Sequence, residues 1–155
     1  MLPTPNVFKI GSGAAAGPTP LNAFDNALLA SGVGNLNLVR VSSILPPHCE
    51  QDQGLVIPPG SLVPTAYASL VCDKAGQEIG AAVAIGRTKD SYGVIMEYSG
   101  YCSREQAEAT VTEMVRAGFR QRGIEPVEIL VRGSSIVVPE GQAACAFACV
   151  SLWYR

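Results

Sequence analysis

The segment Ala143-Ala144-Cys145-Ala146-Phe147-Ala148-Cys149-Val150-Ser151-Leu152-Trp153-Tyr154 decides the fold. Successive residues of a strand point to opposite faces, and here both faces are apolar or small: Cys145, Phe147 and Cys149 on one, Ala146, Ala148 and Val150 on the other. A strand with no polar face belongs in the centre of a sheet. Before it, Val127 to Arg132 reads as another strand. Upstream, Ser103 with Gln106 three residues on forms a capping box, which opens a helix ending at Gly123. Ala107, Val111, Met114 and Val115 share one face of that helix. Three apolar strands precede it, Thr65 to Cys72, Ile79 to Ile85 and Tyr92 to Ser99. The first two are joined by a turn through Asp73 and Gly76, and antiparallel pairing is expected.

Further upstream, Pro46 to Pro64 is rich in proline, glycine and polar residues. It reads as a long loop, a kind uncommon in a compact domain unless it closes over a site or an interface. Leu36 to Val41 has strand character. Thr19 caps a helix with Pro20 at its first position, and Leu21, Phe24 and Leu28 repeat at helical spacing until Gly32. Val7 to Ile10 reads as a short strand leading into a flexible tract, Gly11 to Gly17. Successive strands with only two substantial helices describe an α+β domain, and the absence of repeats or linkers makes residues 1–155 a single domain.

A content of 48% hydrophobic and 15% charged residues supports a substantial core. A net charge of -2 and a pI near 5.3, with no basic run, argue against nucleic acid and anionic membranes as partners and suit a cationic small-molecule substrate. No signal-peptide pattern and no apolar run of roughly 18 residues is present, so a cytoplasmic protein is expected. The five cysteines lack a Cys-x-x-Cys pair and His48 is the single histidine, so no metal site is expected and the thiols read as reduced and mostly buried.

The chemistry centres on Ser42-Ser43, set between the run Leu36 to Val41 and the exit Ile44-Leu45-Pro46-Pro47. A serine hydroxyl is a weak nucleophile unless strained or activated, but this placement holds the second hydroxyl near the preceding carbonyl and makes self-cleavage conceivable. By itself the dipeptide means little, because serines are common at strand ends. Ser134-Ser135-Ile136-Val137-Val138-Pro139 repeats the local pattern, but without the upstream Asn35-Leu36-Asn37-Leu38. The tract Gly11-Ser12-Gly13-Ala14-Ala15-Ala16-Gly17 has the glycines of a dinucleotide-binding loop, yet Pro18 and Pro20 delay the helix and no strand-helix alternation follows. Glu97 shares a face with Ile95 and Ser99, opposite Val94, Met96 and Tyr98. Buried there, its carboxyl becomes a proton donor at neutral pH; at an edge facing water it is an ordinary glutamate. Asp25, beside Phe24, is either a surface aspartate or an acceptor of paired hydrogen bonds from a guanidinium.

Leu21-Asn22-Ala23-Phe24-Asp25-Asn26-Ala27-Leu28-Leu29, the run from Gly34 to Pro47, Gly11-Ser12-Gly13-Ala14-Ala15 and Val94-Ile95-Met96-Glu97-Tyr98-Ser99 together resemble the pyruvoyl-dependent arginine decarboxylases. The resemblance covers most of the chain. It implies an αββα sandwich assembled as trimers of αβ units, with hexamers an open alternative. It also implies a proenzyme that cuts itself between Ser42 and Ser43 into a β chain, 1–42, and an α chain, 43–155. Ser43 Oγ would attack the Ser42 carbonyl to give an ester, and elimination and hydrolysis would release ammonia and leave a pyruvoyl group. Such a carbonyl can form a Schiff base with an amino acid and act as an electron sink, with no external cofactor. The resemblance gives Glu97 the proton for the decarboxylated carbon, Asn37 the polarising of the Ser42 carbonyl, and Asp25 a place in the substrate pocket, for L-arginine going to agmatine and carbon dioxide. Asn37 lies about 20 Å from Ser43 along a straight strand, so either the chain bends or the asparagine serves a neighbouring subunit. A hydrogen bond within the sheet is its plainer role. The alternatives are the same machinery acting on another amino acid, and a non-catalytic oligomeric binding protein that keeps Ser42-Ser43 intact.

Overall fold

Two helices and nine strands follow one another along residues 2–155, which the computed structural model describes; Met1 lies outside them. In chain order these are β1 (Val7–Gly17), α1 (Pro20–Ala30), β2 (Asn37–Arg40), β3 (Ile44–Leu45), β4 (Glu50–Gln51) and β5 (Leu62–Cys72). There follow β6 (Glu78–Arg87), β7 (Gly93–Gly100), α2 (Arg104–Arg122), β8 (Glu128–Val137) and β9 (Ala143–Trp153). The strands form a five-stranded sheet in the order β2-β5-β9-β1-β4 and a four-stranded sheet in the order β3-β7-β6-β8.

The position of β9 follows from its side chains. It lies in the middle of the larger sheet, and every residue from Ala143 to Leu152 is buried. Cys145, Phe147 and Cys149 meet Ala23, Ala27 and Leu28 of α1. Ala146, Ala148 and Val150 face the smaller sheet across a core that includes Val83, Ile85 and Ile95. On the far side of that sheet, Ala107, Val111, Val115 and Phe119 of α2 cover Ala82, Ala84 and Val94. The layers therefore run α1, larger sheet, smaller sheet, α2. Both helix starts are capped as the sequence predicts. Thr19 accepts a hydrogen bond from the Asn22 N–H, and Ser103 and Gln106 make a reciprocal capping box.

The structure corrects several expectations. The tract Gly11 to Gly17 is not flexible: it continues β1, paired with β9 as far as Gly17 opposite Ala143. Its small residues let α1 lie directly on the strand, and a Cβ on Gly13 would come within 2.8 Å of Ala30. The buried face of α1 is Ala23, Ala27 and Leu28, while Leu21 is 75% exposed. Strands β5 and β6 belong to different sheets, so the turn at Gly76 carries the chain between layers; the antiparallel neighbours of β6 are β7 and β8. The stretch from Pro46 to Pro64 is not all loop. It contains β4, parallel to β1, and its end is the start of β5.

Gly13→Ala should destabilise the fold by about 1–3 kcal/mol, the usual cost of overpacking against unyielding neighbours. Gly54→Ala is the control, because its Cβ would meet only the Asp52 carboxylate at an ordinary 3.5 Å. Denaturant titration should show a lower midpoint for the Gly13 variant alone.

Candidate active site

After β2 the chain leaves the edge of the larger sheet and joins the edge of the smaller one as β3. The Val41 N–H still donates to the Thr65 carbonyl at 3.3 Å, whereas the Ser43 carbonyl already accepts from the Ile95 N–H at 2.9 Å. The crossing thus spans Val41 to Ser43. Ser43 takes a left-handed backbone conformation with φ of 82°. A non-glycine residue pays about 1–3 kcal/mol for such geometry, so neighbouring contacts must hold it. They come from antiparallel pairing of Ile44 with Val94 and Leu45 with Gly93, and from the burial of Leu45.

This register brings the Ser43 hydroxyl to Glu97, and Oγ lies 2.8 Å from both carboxylate oxygens. The face that the alternation assigns to Glu97 is the one observed. Ile95 lies in the core between the sheets, the Ser99 hydroxyl donates to the Ser69 carbonyl, and Met96 and Tyr98 pack under α2. Glu97 is half-buried, and burial pushes its carboxyl above the ordinary range against the weaker opposing pulls of the Ser43 hydrogen bond and the Arg40 charge. Arg40 is two residues before Ser42; its guanidinium stacks 4.3 Å above the Tyr67 ring and donates to the Tyr67 carbonyl at 2.6 Å. A single charge in the strand-like run Leu36 to Val41 was its sequence signal. The Ile95 amide left none, because any residue there offers the same N–H.

Ser42 is exposed, and among the described residues no donor reaches its carbonyl oxygen. Ser42 and Ser43 line a cleft of ≈ 290 Å³ walled by Val41, Ile44, Pro46 and Pro64, with no acidic side chain among its lining residues. The structure does not bring the other two sequence candidates here. Asn37 starts β2, at the opposite end from Ser42, and is exposed with its side-chain amide donating to the Gly60 carbonyl at 2.9 Å. The chain does not bend to carry it back, and its hydrogen bond goes to the turn before β5, not to a partner within the sheet. Asp25 is exposed on α1, which covers the outer face of the larger sheet, while Glu97 lies on the inner side.

Ser134, in the second Ser-Ser pair, sits within regular β8 and ties the sheets together. Its hydroxyl lies 2.9 Å from the Phe147 carbonyl and 3.0 Å from that of Gly13, and it accepts from the Phe147 N–H. No carboxylate activates it. All five cysteines are free thiols, and burial pushes Cys149 up to about 12. Among the described residues no group of three or more metal-ligating side chains occurs, and no helix is long and apolar enough to cross a membrane.

Comparison with known proteins adds a separate line of observation. The family model described as pyruvoyl-dependent arginine decarboxylase matches residues 7–154. A protein of that name from Methanocaldococcus jannaschii is 46% identical over 155 residues, covering 97% of this chain and 92% of the relative. Those of Thermococcus kodakarensis and Pyrococcus furiosus are 46% and 45% identical, each covering 97% of this chain and 98% of the relative.

The raised Glu97 pKa has a stability consequence of definite sign. Between the unfolded value of about 4.3 and the higher folded one, the folded chain binds the proton more readily. The cost of burying the ionised carboxylate is therefore absent below the unfolded pKa and complete above the folded one. In the Ser43→Ala chain, which lacks the hydrogen bond that pulls the pKa down, adding Glu97→Gln should raise the melting temperature at pH 7.5 and have little effect near pH 4. Melts showing an equal gap at both pH values would contradict this.

Proposed function

This chain belongs to the pyruvoyl-dependent arginine decarboxylase family, and from that premise we propose that it cuts itself between Ser42 and Ser43 and decarboxylates L-arginine to agmatine. The observation that carries the reading is Ser43 itself, a serine in a left-handed conformation at an exposed corner with its hydroxyl 2.8 Å from a buried-side carboxylate.

In processing, Ser43 Oγ attacks the Ser42 carbonyl carbon, the Ser43 nitrogen leaves with a proton, and an ester replaces the amide. Loss of the Ser43 α-proton then expels the Ser42 carboxylate and leaves dehydroalanine, whose hydrolysis yields ammonia and the pyruvoyl group. Breaking the bond frees Ser43 from its strained φ. At about 1–3 kcal/mol this relief is worth roughly one to two decades in rate, a contribution and not the whole acceleration.

The pyruvoyl group supplies a carbonyl that takes up the substrate amine and an electron sink for the departing carbon dioxide. Residue 43 fits that group, because it lines an apolar cleft while its hydroxyl lies 2.8 Å from the Glu97 carboxyl outside that lining. Glu97 retains a proton at higher pH than a free glutamate does, and in this reading it delivers that proton to the substrate carbon.

Asn37 and Asp25 do not reach residue 43 in their own chain, so the reading assigns them to the site of a neighbouring subunit. Assembly is as trimers of cut chains, with hexamers the alternative, in the cytoplasm. Exposed Val39 on edge strand β2 and exposed Leu62 at the start of its neighbour β5 support burial of that edge. The cleft's lack of an acid favours a second reading, the same machinery with another amino acid as substrate.

Ser43→Ala should remain one uncut, folded and inactive chain, since it has no hydroxyl for the acyl shift. Glu97→Gln should still cut, because the amide oxygen accepts from Ser43 Oγ, while turnover falls by roughly two to four decades. Normal turnover in the glutamine variant would remove Glu97 from catalysis. Asp25→Asn should cut normally but weaken arginine by about 1.5–3 kcal/mol, the range for a hydrogen bond to a charged group. A turnover panel of arginine, lysine, ornithine, histidine and aspartate should favour arginine; a preference for aspartate or histidine would overturn the substrate assignment.

A further inference from the structure

The cleft beside Ser43 has a wall that the chemistry above does not use. Leu2, Pro3 and Pro5 line it together with Val41, Ile44 and Tyr154. Two prolines in this arm fix their backbone angles and remove two donors, which keeps the segment extended and outside either sheet. Its root is clamped by Asn6. The Asn6 N–H donates to the Trp153 carbonyl at 3.0 Å and its carbonyl accepts from the Glu50 N–H at 2.9 Å. Its side chain accepts from the Arg155 N–H at 2.9 Å and donates to the Arg155 carbonyl at 3.5 Å. These four bonds hold the arm in place, yet Leu2 at its tip is 90% exposed. A large apolar side chain is thus presented to water at the mouth of an apolar cleft, although folding gains almost nothing from it there.

We propose that Leu2, Pro3 and Pro5 form an apolar wall of the substrate site, packing on the amino acid bound at residue 43 and excluding water from it. This rests on the reading of residue 43 as the reactive centre. The cleft offers no charged lining side chain. Apolar cover favours loss of a charged carboxylate as neutral carbon dioxide, and it keeps bulk water from the reacting carbon. Leu2 gains in such a complex the contacts that it lacks in the free chain.

The test is kinetic, on the self-processed enzyme with the best substrate of the panel. Leu2→Ser cannot disturb the core, since the side chain is in water. It should lower kcat/KM by about 3- to 10-fold, part of the value of one buried leucine, with unchanged fragments on a denaturing gel. Leu2→Met should restore kcat/KM to within about twofold, as an apolar side chain of similar volume. Asn6→Ala, which loosens the root, should reproduce the loss. A Leu2→Ser enzyme as active as the parent would overturn the proposal, as would a methionine variant as impaired as the serine one. A parent enzyme left uncut and inactive on every amino acid would refute the reactive-centre reading instead, and this inference with it.

Discussion

The constraint on which the site depends is the short crossing from β2 to β3. Strand β2 is the edge of one sheet and β3 the edge of the other, so the chain must pass between layers within Val41 to Ser43. Ser43 absorbs the change of direction with its positive φ, and the Ile95 amide fixes its carbonyl on the far side. The same register carries its hydroxyl to Glu97. A bend that in another fold would go to glycine is here taken by a residue with a nucleophile.

Two opposed effects set the state of the carboxyl. The Ser43 hydrogen bond and the Arg40 charge favour the ionised form, while burial between the sheets favours the neutral one, and burial prevails. A half-buried glutamate on the inner face of a sheet has little water to replace what it loses, so one hydroxyl donor does not restore ordinary acidity. The strain at residue 43 and the raised carboxyl pKa are both local costs, and the core between the sheets supports them. Ile95 is fully buried beside Glu97, and Leu45, two residues after Ser43, is 3% exposed.

The fold was most readable where a local pattern determines burial. The two-sided apolar pattern of Ala143 to Leu152 placed β9 centrally, and alternation around Glu97 assigned its face correctly. Capping at Thr19 and Ser103 marked both helix starts. The failures arose where long-range packing overrode local preference. Glycines of β1 read as a flexible tract, yet they are small because α1 presses on the strand. Nothing near Asp73 revealed that β5 and β6 separate into different sheets. In the site, Ser43 and Glu97 were both identified, but their contact depends on register across 54 residues. The chain keeps Asn37 and Asp25 apart from them, which sequence spacing had suggested for Asn37 and could not address for Asp25.

The central claim is that this corner breaks its own backbone to make a carbonyl. The most direct measurement is the intact mass of the purified protein before and after borohydride reduction. The account predicts two fragments, residues 1–42 and 43–155, the second lighter by one ammonia than a fragment beginning with serine and gaining two hydrogens on reduction. A catalytically active preparation consisting of one uncut chain, or of a second fragment with a free serine amine, would contradict it.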